Sequence, residues 1–163
     1  MKTQRILLTI FLFGALFCLA QNEKEFVIKS IESNINIDGI GNEKEWDFVE
    51  WQSEFWLWRP NDSLKAEKQS RFKILKNEKN LYILVESLTD GKNFSTPSLK
   101  RDFNTYGADF ITLLFDTFSD GTNAFSFSTN PLGLKNEGLI SGGNQNYRTD
   151  RSYTCDSKWL VES

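Results

Sequence analysis

The apolar residues of this chain come in short runs cut by turn residues, and that punctuation constrains the fold more than any other feature. The runs at 26–31, 35–37, 71–75, 81–85, 109–117, 124–129 and 137–140 are too short for ordinary helices and rich in β-branched and aromatic residues. Asp38-Gly39, the polar 77–80 stretch, Asp120-Gly121, and Asn130-Pro131 followed by Gly133 separate them. The pattern predicts an all-β fold, an antiparallel β-sandwich in one domain. No internal repeat and no low-complexity stretch interrupts it.

Helix signals are scarce. Asn42 can cap a first turn, with Glu45 three residues on completing a capping box, which predicts one short helical turn through Trp46. Residues 71–75 alternate polar and apolar, and 81–85 is apolar on both faces, so the two predict a hairpin whose second member is a central, covered strand. In 124–129 the two phenylalanines share a face. A polar loop spans 89–107, and loops of that length without structure of their own are usually functional or mobile.

Lys2 and Arg5 precede an apolar segment that reaches Phe17, and Cys18-Leu19-Ala20 offers small residues for cleavage before Gln21. Residues 1–20 therefore read as a signal peptide, too short for a spanning helix of about 20 apolar residues. The mature segment, 21–163, is expected in the periplasm or at the cell surface with no membrane span. It carries 17 basic and 22 acidic side chains, a net charge of −5, scattered rather than clustered, which argues against nucleic acid. Only Cys155 remains after cleavage, so no internal disulfide can form, and it reads as a small packed residue. With no histidine in the chain, the usual zinc sites and the Ser-His-Asp and Cys-His catalytic sets are excluded. No catalytic residue is assigned. Residues 158–163 read as the beginning of a strand, which leads us to expect a longer parent protein.

Four of the five tryptophans lie within thirteen residues, at Trp46, Trp51, Trp56 and Trp58. In the run Phe55-Trp56-Leu57-Trp58 successive side chains point to opposite faces, so Phe55 and Leu57 can enter a core while the two indoles stand together on the other side. Outward indoles suit the C–H face of a sugar ring; the same pair would equally fill a second buried layer. Trp56 and Trp58 form the candidate platform, with Trp51 nearby and Arg59 and Asn61 placed to reach hydroxyls. Arg101 and Asp102 in the long loop are a candidate ligand-binding pair, or an ion pair holding the loop down. Asp109, Asp116, Asp120 and Asn123 offer hard oxygens for calcium, but not at EF-hand spacing, and no cofactor is assigned.

From about Ile37 to Glu162 the sequence resembles the carbohydrate-binding family 9-like domain found at the front of large exported bacterial proteins. The resemblance is carried by Ile37-Asp38-Gly39 with Glu45-Trp46, by Phe55-Trp56, and by Asn80-Leu81-Tyr82-Ile83. It continues through Arg101-Asp102, Asp109-Phe110-Ile111, Phe115-Asp116-Thr117-Phe118 with Asp120, and Asn130-Pro131-Leu132-Gly133. It implies a jelly-roll-like β-sandwich, here without its last strand, that clamps a sugar ring between aromatic side chains and can hold structural calcium. The expected function is a non-catalytic module that binds oligo- or polysaccharide, attached to a longer protein of carbohydrate catabolism. Two other readings stand beside it: a structural or protein-interaction domain that docks on the remainder of its own chain, and a part of a glycoside hydrolase.

Overall fold

The computed structural model describes residues 26–88, 94–141, 150–152 and 159–162. Residues 1–20, expected above to be a signal peptide, the 142–144 glycine loop and Cys155 lie outside the described residues. Strands β1 (Lys29–Ser30), β2 (Ser70–Lys76) and β3 (Leu81–Ser87) form one sheet in the order β1-β2-β3. Strands β4 (Ile111–Phe115), β5 (Ala124–Thr129), β6 (Lys135–Ser141) and β7 (Asp150–Ser152) form a second in sequence order. All pairings are antiparallel except β1 with β2, which is parallel. The chain is all-β, as its punctuation predicts.

The expected hairpin is β2–β3, in register from Ser70 opposite Ser87 to Lys76 opposite Leu81. Asn77 builds its turn: the Asn77 N–H donates to Asn80 O at 2.9 Å while its own Oδ1 accepts from the N–H groups of Lys79 and Asn80. Among the described residues β3 lies at the sheet edge and β2 is central, which reverses the assignment made from apolar content. The reason is that apolar side chains report covering above and below a strand, not pairing at its sides.

Covering is unequal on the two faces of this sheet. Leu75, wholly buried, and Tyr82 sit opposite each other on β2 and β3 and pack with Ile35, Trp46 and Val49. The lid is the segment 31–49, which the sequence reading divides into a strand and a helical turn. Residues 35–37 form no strand, and only Lys29 and Ser30 of the 26–31 run do so. The helical turn exists as a 3-10 turn, Lys44–Phe48, with Glu43 rather than Asn42 at its N-cap and no side-chain cap. Glu45 is occupied elsewhere, accepting from Ser33 Oγ at 2.6 Å, which holds its carboxyl below the usual range. Gly41 is required here. Its φ of +65° suits glycine, and a Cβ would lie 2.7 Å from both terminal carbons of Leu84.

Lys73 shares this covered face and is itself buried, its ammonium donating to Trp46 O at 2.6 Å and lying 4.9 Å from the Trp51 ring centre. Its stem packs among apolar neighbours while its charge finds an acceptor. The Tyr82 hydroxyl donates to Asn34 Oδ1 and accepts from the amides of Asn77 and Asn80. The lid is thus held by polar contacts that leave these buried groups satisfied.

The second sheet hides polar groups. Ser126, Ser128 and Asn136 are fully buried, whereas Phe125 and Phe127 on the opposite face of β5 are half-buried. Thr112 and Ser128 hydrogen-bond across strands at 2.7 Å, and Asn136 Nδ2 donates to Phe103 O at 2.7 Å. Phe103, buried and 6.5 Å from the Phe110 ring, pins the long loop over that seam. Asn130 Nδ2 and Asn136 Oδ1 are buried without a hydrogen-bond partner among the described residues.

Leu75→Ala is expected to cost about 2–5 kcal/mol, because it empties a site that the lid cannot collapse into. Leu114→Ala, at a side chain 60% exposed, should cost well under half of that; urea unfolding of both variants measures the difference.

Candidate functional site

Two backbone hydrogen bonds set the geometry of the tryptophan segment. Leu57 N donates to Leu64 O at 2.8 Å and Ala66 N to Phe55 O at 2.9 Å, with Trp56 bridged to Lys65. Residues 55–57 and 64–66 therefore form a short two-stranded arm, closed by a turn in which Asn61 Oδ1 accepts from the Ser63 N–H at 2.9 Å. Strand alternation then separates the side chains. Phe55 meets Phe72 edge-on at 6.0 Å although 42% of it stays exposed, and Leu57 is half-buried. Trp56 and Trp58 remain 54% and 69% exposed.

Cations frame both indoles. The Arg59 guanidinium lies 4.8 Å from the Trp58 ring centre, and the Lys65 ammonium 5.8 Å from that of Trp56. Lys65 also pairs with Glu54 at 2.8 Å, across two exposed side chains, so the pair itself adds little stability. Glu54, just before the arm, has a φ of 75°, a left-handed conformation costly for a residue with a Cβ. Sequence reasoning did not single out Lys65, Glu54 or Gln69. The returning strand Leu64-Lys65-Ala66 is too short to carry a pattern.

The other predicted site residues lie elsewhere. Trp51 packs under the side chains of β2, with the Arg71 guanidinium 4.2 Å from its ring centre and Lys73 at 4.9 Å, so it belongs to the covered sheet face. Arg71 is held from its other side by Glu86 at 2.5 Å. Trp46 is a core residue. Asn61 serves the arm's turn.

Arg101 and Asp102 anchor the long loop to β6. Asp102 N donates to Lys135 O at 2.9 Å, and Arg101 Nη2 donates to the Glu137 carboxylate. The Arg101 to Asp102 pair is a loose 4.0 Å contact. Glu137, whose side chain is 2% exposed, also accepts from Trp159 Nε1 at 3.1 Å. Trp159 sits edge-on against Phe127 at 5.5 Å, and its carbonyl accepts from Lys135 Nζ at 2.6 Å. One buried carboxylate therefore joins the long loop to the 159–162 segment.

Between the sheets lies a cavity of about 270 Å³, lined by Phe72, Ile74, Ile83 and Val85 of the first sheet, by β4, and by Phe55 at the root of the arm. Its walls are almost entirely apolar.

The proposed calcium oxygens are engaged by their own loops. Asp109 accepts from Ser95 N, Asp116 from the N–H groups of Phe118, Asp120 and Gly121, and Asp120 from Thr122 N, Asn123 N and Asn123 Nδ2. Among the described residues no three acidic, cysteine or histidine side chains gather as a metal site. No protein-family model, no curated protein and no solved structure matches this chain.

Two outcomes follow from these contacts. Arg101→Met should cost about 1–3 kcal/mol in urea unfolding, because it leaves a buried carboxylate short of a partner, and adding Glu137→Gln should recover part of the loss. The Asn123 amide, with the backbone N–H groups of Thr122 and Asn123, holds the Asp120 carboxyl well below its usual range. The loop's contribution is then complete above the unfolded value of about 3.9 and is lost only as pH falls through the depressed one. Carbon-detected NMR titration should find Asp120 still ionised at about pH 3, where an ordinary aspartic acid is mostly protonated.

Proposed function

We infer that this chain is an exported, non-catalytic carbohydrate-binding module of jelly-roll-like sandwich architecture, part of a longer protein that handles polysaccharide. One observation carries the reading. Trp56 and Trp58, two residues apart on a hydrogen-bonded arm, are 54% and 69% exposed, while Leu57 between them is half-buried and Phe55, itself 42% exposed, meets Phe72. On this reading the two exposed indoles, at alternate positions of the arm, offer apolar ring faces to the C–H face of a pyranose. Arg59 and Lys65 each stand over one face of an indole, so on this reading a sugar ring stacks on the opposite face or displaces the cation. Affinity for one or two sugar units is modest on this reading, since a shallow platform removes little area from water.

Trp51 and the Arg101–Asp102 pair play no part in this site; their contacts lie with β2 and β6. The competing reading, an interaction domain without a sugar site, draws support from the apolar cavity between the sheets, which a protein partner could cover.

Titration with cellohexaose and xylohexaose should quench tryptophan fluorescence, and Trp56→Ala or Trp58→Ala should each weaken binding by about tenfold or more. Trp51→Ala should leave affinity within about twofold. Unchanged binding in both arm variants removes the platform; a wild-type chain that binds neither saccharide leaves the interaction domain.

A further inference from the structure

We propose that Gln69 is the positioning residue of the aromatic arm, holding Trp56 and Trp58 outward through a three-point clasp on the backbone. The inference rests on the platform reading for its functional meaning and on geometry alone for the clasp. Gln69 is half-buried in the residue before β2, and its backbone carbonyl accepts from Leu88 N at 3.2 Å, so its Cα is fixed to the hairpin. Its side chain reaches away from the sheet. Oε1 accepts from Phe55 N at 2.9 Å, while Nε2 donates to Phe55 O at 3.1 Å and to Ala66 O at 2.5 Å.

One primary amide therefore satisfies both backbone groups of Phe55 and one on the returning strand, acting as a neighbouring strand would. The orientation of the amide is determined by its partners: a backbone N–H requires the oxygen, and two carbonyls require the nitrogen. Phe55 needs such a hold. It follows Glu54 in its left-handed conformation, and the arm has only two ladder bonds of its own. Side-chain alternation does the rest, because a Phe55 held facing Phe72 forces Trp56 and Trp58 to the opposite side. Loss of the clasp frees the arm to rotate or slip, and a slip of one residue turns the indoles inward.

The clasp demands one acceptor and two donations, which gives it a signature that simple packing lacks. In Gln69→Glu the carboxylate still accepts from Phe55 N but repels the two carbonyl oxygens; once protonated, it can donate to one of them. Charged groups on the elements it touches are Glu54, Arg59, Asp62 and Lys65 on the arm and its turn, Glu67 and Lys68 beside it in the chain, and Arg71, Lys73, Lys76 and Glu86 on the hairpin strands. The wild-type chain titrated in parallel accounts for all of these.

The experiment compares wild type, Gln69→Ala and Gln69→Glu by the indole N–H resonances of Trp56 and Trp58 and by cellohexaose and xylohexaose affinity. At pH 7 both variants should shift those two resonances and bind about tenfold more weakly, with the Trp46 resonance of the core unmoved. At about pH 3.5, below the ordinary glutamic acid value of about 4.3, Gln69→Glu should return toward wild type and Gln69→Ala should not. Arm resonances unchanged at pH 7, or no recovery of Gln69→Glu in acid, overturns the proposal. Should Gln69→Ala unfold, the acid response of Gln69→Glu decides alone. Indole shifts that follow this pattern in a chain that binds neither saccharide uphold the clasp and remove the sugar-binding reading.

Discussion

The structure depends on the pairing of Leu75 with Tyr82 beneath the 31–49 lid. A three-stranded sheet with a two-residue outer strand has little stability of its own, and what it has comes from burying one face. Here the lid supplies Ile35, Trp46 and Val49, and Gly41 lets the chain approach Leu84 closely. Because Lys73 also sits under the lid, the cover must bring an acceptor with it, and the Trp46 carbonyl meets that need. The hairpin fixed in this way is the base to which Gln69 ties the arm.

A second constraint acts on the other sheet, where polar groups do the joining. Glu137 is buried and accepts from Arg101 of the long loop and from Trp159. Such a carboxylate contributes less to net stability than to uniqueness, since its desolvation offsets much of its attraction while any misplacement leaves it unpaired. Asn136 acts in the same sense, selecting one position for the 94–110 loop through Phe103 O. The arm and the long loop thus have different supports. The arm is held by amide hydrogen bonds to the first sheet, and the loop by an ion pair and a side-chain amide to the second.

Much of the fold was legible from the chain. The hairpin, its Asn77 turn, the span of β5, and the outward direction of Trp56 and Trp58 all follow from alternation and turn chemistry, which are local properties. The errors also share a cause. Residues 35–37 look like a strand because of two isoleucines in alternation, yet Ile35 covers the hairpin rather than pairing and Ile37 stays exposed. Asn42 looks like a cap, but the turn begins one residue later and Glu45 is taken by Ser33. Trp51 and Trp58 are indistinguishable as letters, and only the position of β2 puts Arg71 against the first.

The sequence by itself determined the all-β class, the β2–β3 hairpin with its turn, and the alternation of side chains along 55–58, because side-chain alternation and turn preferences act within a few residues. Tertiary structure alone decided which face of each sheet is covered, why serines rather than phenylalanines are buried on β5, and which amide holds the arm. Those outcomes depend on contacts between segments distant in the chain, such as Trp46 with Lys73 or Arg101 with Glu137. No local pattern records them, since burial is a property of what the rest of the molecule places on top.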